Sequence, residues 1–201
     1  MKNNYALVTG ASSGIGLEIA RSLAKRNYNL VLVARREEQL KTIAIEIKND
    51  FNIDVEVCSA DLANPQAPDD IYNFCSSRNL NVEVLINNAG YALPNQFHKT
   101  SMQDEEDCLR VLGISVIALT KIFLPDMLER GSGKIMIVSS VASFAPPSTI
   151  QVLYGPVKTF MNRFSDGINI NYKHKGVTST SVCPGYTVTG FHTASGTQKQ
   201  M

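Results

Sequence analysis

An excess of charge of one sign is missing: Lys and Arg number 19 against 18 Asp and Glu, a formal net charge of +1. That balance removes the electrostatic reason to expect nucleic acid or an anionic membrane as partner. Cysteine is scarce too. Cys58, Cys75, Cys108 and Cys183 stand far apart, without CxxC spacing or a nearby histidine suited to zinc, so reduced, buried thiols are expected and no metal site. Long hydrophobic runs are also lacking. Tyr5 to Val8 is too brief for a signal peptide, and Ser115, Thr120 and Lys121 interrupt the apolar stretch Val111 to Leu124, so no membrane span is expected and the location expected is cytoplasmic. What remains is 201 residues, 44% hydrophobic and 18% charged, the composition of a single packed domain.

Short β-branched runs alternate with segments of helical period along the whole chain, which predicts an α/β fold: a parallel sheet with crossover helices on both faces. Tyr5 to Thr9, Leu30 to Ala34, Val55 to Ala60, Val84 to Asn87, Ile135 to Ser139 and Thr178 to Cys183 read as strands, mostly continuous apolar runs of the kind buried on both faces. Ile15, Ile19, Leu23 and Ala24 make an apolar stripe on the first helix, and Leu40, Ile43 and Ile47 on the second. Pro125 is expected to kink or end a long helix that starts near Ser101. The polar stretch at residues 190–201 lacks period and reads as loop or tail.

The chemistry begins at Thr9-Gly10-Ala11-Ser12-Ser13-Gly14-Ile15-Gly16, where the first strand passes into the first helix. Glycine there lets a pyrophosphate approach the backbone, and the free N–H groups at the positive end of the helix attract it. On this stretch alone, an ordinary tight turn stays open. The end of the second strand reads Val33-Ala34-Arg35-Arg36. No carboxylate stands there to bond the ribose 2′-OH of NAD, and two guanidiniums are available for a 2′-phosphate, so NADP(H) is favoured over NAD(H). Pairing of either arginine with Glu37, Glu38 or another surface carboxylate is the competing reading.

The glycine spacing G-x-x-x-G-x-G, Asn87-Asn88-Ala89-Gly90 after the fourth strand, Ser140 after the fifth, the Tyr154/Lys158 pair and Pro184-Gly185 after the sixth occur in that order. Together they resemble the short-chain dehydrogenase/reductase family, and within it the NADP-preferring 3-oxoacyl-ACP-reductase-like and related carbonyl reductases. The resemblance implies a doubly wound Rossmann sheet of strand order 3-2-1-4-5-6, with the usual seventh strand and final helix absent. It also implies a homo-oligomer, dimer or tetramer. Cofactor contacts would fall on Gly10, Ser12, Ser13, Gly14, Ile15, Gly16, Arg35, Arg36, Asp61, Leu62, Asn88, Ala89, Gly90, Tyr154, Lys158, Pro184, Gly185, Thr187 and Thr189. Asp61 has a second reading, as a cap on the next segment.

For catalysis the resemblance implies Ser140 holding the substrate oxygen, Tyr154 donating the proton in reduction, and Lys158 stabilising the phenolate. Four apart on a helix, Tyr154 and Lys158 share a face. A free phenol titrates near pH 10, so exchange at neutral pH calls for a neighbouring cation. The family's Asn in the helix before the fifth strand, which helps hold a proton-relaying water, aligns with Ser115. The Ser140 to Tyr154 segment is one residue longer than the commonest spacing and contains Pro146-Pro147, and Pro156 places the helix start close to Tyr154. Phe97, His98, Phe144, Tyr186, Phe191 and His192 are candidates for the pocket wall. The function expected is hydride transfer between NADP(H) and a small carbonyl or alcohol substrate. An NADP-binding sensor or scaffold with weak or no turnover is the alternative, and an isomerase, dehydratase or epimerase on the same fold is a third reading.

Overall fold

A computed structural model describes residues 4–146 and 152–187. Six strands form one sheet in the order β3-β2-β1-β4-β5-β6: β1 (Asn4–Thr9), β2 (Asn29–Ala34), β3 (Val55–Ser59), β4 (Asn81–Asn87), β5 (Gly133–Val138) and β6 (Val177–Val182). All neighbours pair in parallel. Each observed strand lies within a few residues of its expected bounds. The order reverses between β1 and β4, and that switch point opens a crevice at the carboxyl ends of the strands.

Successive side chains of a strand point to opposite faces, and here both faces are covered. Ala6 and Val8 join Leu30, Leu32, Leu40 and Ile47 on one side, whereas Leu7 joins Leu85, Ile137, Leu119 and Met161 on the other. The first side is covered by α1 (Gly14–Ala24) and α2 (Glu37–Phe51), the second by α3 (Ala67–Ser77), α4 (Met102–Leu109), α5 (Ser115–Glu129) and α6 (Tyr154–Tyr172). The expected stripe on α2 is buried, but on α1 the fully covered residues are Gly16, Ala20 and Ala24, with Ile15, Ile19 and Leu23 only half-buried at its flanks. Small residues there let α1 lie close to the sheet.

Ser101 caps α4 with a reciprocal bond to Asp104, as its expected start requires. Pro125 does not end the helix that follows; α5 runs on to Glu129. The irregularity lies earlier, in a wide π turn at Arg110–Ile114 between α4 and α5. By length and composition Met102–Glu129 is able to cross a membrane, but half of the qualifying stretch is buried within the fold. Residues 188–201 and 147–151, which include Thr189, Phe191, His192, Pro147 and all of the expected tail, lie outside the described residues.

Candidate active site

The glycine turn is held by the strand next to it. Thr9 Oγ1 donates to the Ile86 carbonyl (3.2 Å) and accepts from the N–H groups of Asn88 (2.9 Å) and Ala89 (3.1 Å), which stitches the exit of β1 to that of β4. Asn88 Nδ2 then donates to the carbonyls of Thr9 (2.8 Å) and Gly10 (3.3 Å). Gly10, at φ +66°, has no room for a side chain: a Cβ would sit 2.8 Å from Asn88 Nδ2 and 2.9 Å from Ala89 Cα. A Cβ on Gly16 would run into the Gly10 carbonyl and Asn88. Asn88, expected to touch the cofactor, therefore also braces the turn, a task its place directly after β4 makes possible.

At the end of β2 the arginines escape their sequence neighbours. Lys41 takes both Glu37 (2.9 Å) and Glu38 (2.7 Å). Arg36 Nη2 instead donates to Ser12 Oγ (2.9 Å) and Ser13 Oγ (3.4 Å). Arg35 faces Asp61 at 4.0 Å, with both side chains largely exposed. Asp61 also accepts from the Ala63 N–H (3.1 Å) and so caps its own turn, the second of its two expected roles.

Across the switch point, the catalytic candidates come from two elements. After β5 the chain makes a tight turn at Val141–Ser143, where Ser140 Oγ accepts from the Ala142 N–H (3.1 Å). Thr159 donates to the Ser143 carbonyl (2.9 Å) and Asn162 to Ser143 Oγ (2.8 Å), which pins this turn to α6. The docking brings Ser140 within hydrogen-bonding reach of the Tyr154 hydroxyl. α6 starts at Tyr154, so Pro156 falls in the first turn, where a missing N–H costs nothing. The neighbouring Ser139 points elsewhere and donates to the Lys158 carbonyl (3.0 Å).

Lys158 is buried, 5% exposed, and its Nζ donates to the Val138 carbonyl (2.7 Å) and lies 5.6 Å from the centroid of the Tyr154 ring. Burial pulls its pKa down to about 8, against a smaller opposing effect of Cys108 and Cys183. Burial pushes the Tyr154 phenol above its usual value, partly offset by the Ser140 hydrogen bond. In the chain by itself, then, desolvation outweighs the expected lowering of the phenol by the amine.

A cleft of about 880 Å³ runs along the carboxyl ends of the strands. Its lining includes Gly10, Ser12, Ser13, Gly14, Ile15, Gly16, Arg35, Arg36, Asp61, Leu62, Asn88, Ala89 and Gly90, and at the far end Ser140, Tyr154, Lys158, Pro184, Gly185, Tyr186 and Thr187. Its size and the glycine cradle fit an extended dinucleotide, with cations at one end and the phenol at the other. Ser115 is not in that lining. It is 2% exposed and donates to the Val111 carbonyl (2.9 Å), one turn back across the π turn. Among the pocket-wall candidates, Tyr186 lines the cleft, and Phe97 borders a separate hollow behind Tyr154, whereas Phe144 is 76% exposed. Neither lining includes His98. The sequence reading missed Tyr91, a third phenol in the cleft beside Tyr154 and Tyr186, whose pKa burial pushes up to about 12. Its place directly after Gly90 was the available signal. The described residues hold no cluster of ligands for a metal, and Cys58, Cys75 and Cys108 are free and buried, with Cys183 half-buried.

A parallel sheet in this order, with a glycine cradle at the end of its first strand, defines a Rossmann-type dinucleotide-binding protein. The family model for short chain dehydrogenases matches residues 4–200, and the chain belongs to that family. It is similar to a very-long-chain 3-oxoacyl-CoA reductase of Anas platyrhynchos, 35% identical over 191 residues, which are 92% of this chain and 60% of that protein. The chain thus spans about 60% of the length of such curated relatives. Among solved structures, a short-chain dehydrogenase from Sphingobium yanoikuyae in complex with NADPH has a TM-score of 0.91 at 30% identity, covering 97% of this chain and 75% of that one. The L-sorbose reductase from Gluconobacter frateurii, complexed with NADPH and L-sorbose, has a TM-score of 0.86 at 27% identity, with 92% and 70% covered.

Proposed function

We propose that the chain is the single dinucleotide-binding domain of an NADP(H)-dependent oxidoreductase that interconverts a small carbonyl compound and its alcohol. The observation that carries this reading is one cleft with Arg36, which has no carboxylate partner among the described residues, at one end and the Ser140, Tyr154 and Lys158 group at the other. Relatives and neighbours named as reductases or dehydrogenases, two of the neighbours with NADPH, support it.

In this reading Arg36, Ser12 and Ser13 hold the 2′-phosphate by charge-assisted hydrogen bonds. N–H groups at the start of α1 receive the pyrophosphate. Pro184, Gly185, Thr187 and Thr189 orient the carboxamide end. The nicotinamide, when bound, supplies or accepts the hydride. Ser140 Oγ holds the substrate oxygen. The Tyr154 phenol, held protonated at neutral pH by its ordinarily high pKa, which burial raises further, donates its proton to that oxygen as reduction proceeds. The Lys158 ammonium stabilises the phenolate left behind and, with a pKa near 8, is able to return a proton to it.

The test is NADPH oxidation across a panel of ketones, aldehydes and 3-oxoacyl thioesters, the last included because of the relatives' name. Tyr154→Phe is expected to lower kcat about 10²–10⁴-fold while leaving NADPH binding in place. Tight NADPH binding with no turnover in either protein would instead support the sensor reading, which the serine at position 115, where the family has Asn, favours. We also propose a cytoplasmic homo-oligomer. Support comes from the Met102–Glu129 helix, half of whose apolar stretch is buried within the fold, and from Ile114, Phe160 and Ile170, exposed apolar side chains that association would cover. Light scattering that returns the monomer mass would remove that part.

A further inference from the structure

Arg35, Arg36, Glu37 and Glu38 are consecutive, and two cations followed by two anions at a helix start would ordinarily neutralise one another. They do not, and two residues that line no part of the cleft account for it. Lys41, one turn into α2, draws both carboxylates to itself, at 2.9 Å and 2.7 Å. Arg36 is left with hydroxyl partners only among the described residues. Gln39 Nε2 donates to the Ser12 carbonyl at 2.8 Å, which ties the first turn of α2 to the glycine turn. Ser12 itself is buried, 6% exposed, and its hydroxyl faces Arg36. Ser13 stands at the N-cap of α1 in extended backbone but makes no capping bond, so its hydroxyl too is turned to Arg36.

We infer that Gln39 and Lys41 are positioning residues for cofactor selection: Gln39 fixes the start of α2 against Ser12, and Lys41 withdraws Glu37 and Glu38, which leaves Arg36 open to a 2′-phosphate. The inference rests on the NADP(H) reading above and adds to it two residues that do not touch the cofactor. Each acts by a different force. The Gln39 contact is a short, partly buried hydrogen bond to a carbonyl that would otherwise lose its donor. The Lys41 pairs are exposed and therefore screened by salt.

Two probes isolate the site: 2′,5′-ADP carries the extra phosphate and 5′-AMP lacks it. Calorimetric titration of the full chain with both gives a selectivity ratio for wild type, Gln39→Met, Lys41→Met and the charge-conserving Lys41→Arg. Gln39→Met is expected to lower the ratio roughly ten-fold at any ionic strength, since a bond to a buried carbonyl is not screened. Lys41→Met is expected to lower it about three-fold at low salt, with the loss vanishing near 1 M salt, and Lys41→Arg to restore it. Unchanged 5′-AMP affinity would show that each variant still folds. Wild-type ratios in both Met variants, or equal weakening of both probes, would overturn the inference. Equal affinity of wild type for both probes would overturn the NADP(H) reading itself, and with it this extension.

Discussion

At the β1–β2 end of the cleft, positions are set by backbone contact and charge: Gly10 and Gly16 have no space for a Cβ, and Arg36 rests on two serine hydroxyls. At the β5–α6 end, side chains from a turn and a helix must be docked on each other, with Ser143 pinned by Thr159 and Asn162 so that Ser140 meets Tyr154. The first end is polar and solvated, with Arg35 largely exposed, whereas the second buries an amine. Binding selectivity is thus built from groups that are cheap to hold in place. Proton chemistry is built from groups whose burial costs stability, and that cost is what moves their pKa values.

The sharpest way to expose that contrast is through Lys158. Its folded pKa of about 8 lies below the ordinary 10.5, so folding disfavours its charged form. The penalty is complete below pH 8, shrinks as pH rises, and is gone above pH 10.5. A shift of that size corresponds to on the order of 3 kcal/mol at neutral pH. Denaturant melts of wild type should therefore gain on Lys158→Met between pH 8 and 10.5, although the variant has no turnover. A gap that stays constant with pH would contradict the cost of burial.

The glycine end should fail differently. Gly16→Ala is expected to cost roughly 2 kcal/mol, because the added methyl must displace the Gly10 carbonyl or Asn88. The same variant should weaken NADPH and NADH together, as measured by fluorescence titration. Arg36→Ala should leave stability alone and lower the preference for NADPH over NADH about ten-fold, the loss of a charge-assisted bond. An unchanged preference would move the selectivity to Arg35. The smallest effect is expected at Ser115→Ala: its hydroxyl bonds within its own helix, so kcat should change less than about two-fold.

The same contrast explains what was legible in the sequence. Strands and the glycine turn follow from local rules, since apolar runs, β-branching and the need for positive φ at Gly10 leave marks in consecutive residues, whereas the strand order came with the family resemblance. The partner of Arg36 left no such mark. Glu37 and Glu38 were its nearest charges along the chain, and only the helical spacing to Lys41 removes them. Ser115, aligned with the family's relay Asn, follows directly on the π turn at Arg110–Ile114, a departure from regular helix that no pattern of consecutive residues marks. Pro125, expected to kink or end its helix, lies within one that continues to Glu129. Tyr91 went unnoticed because its burial is made by residues distant in sequence.

A crystal structure of the chain with NADP⁺ tests the central claim most directly. The account predicts the 2′-phosphate within hydrogen-bonding distance of Arg36, Ser12 and Ser13, the pyrophosphate over the start of α1, and the nicotinamide ring beside Tyr154 and Lys158. A dinucleotide found outside this cleft, or lying in it with its ring at the Arg36 end, would contradict it.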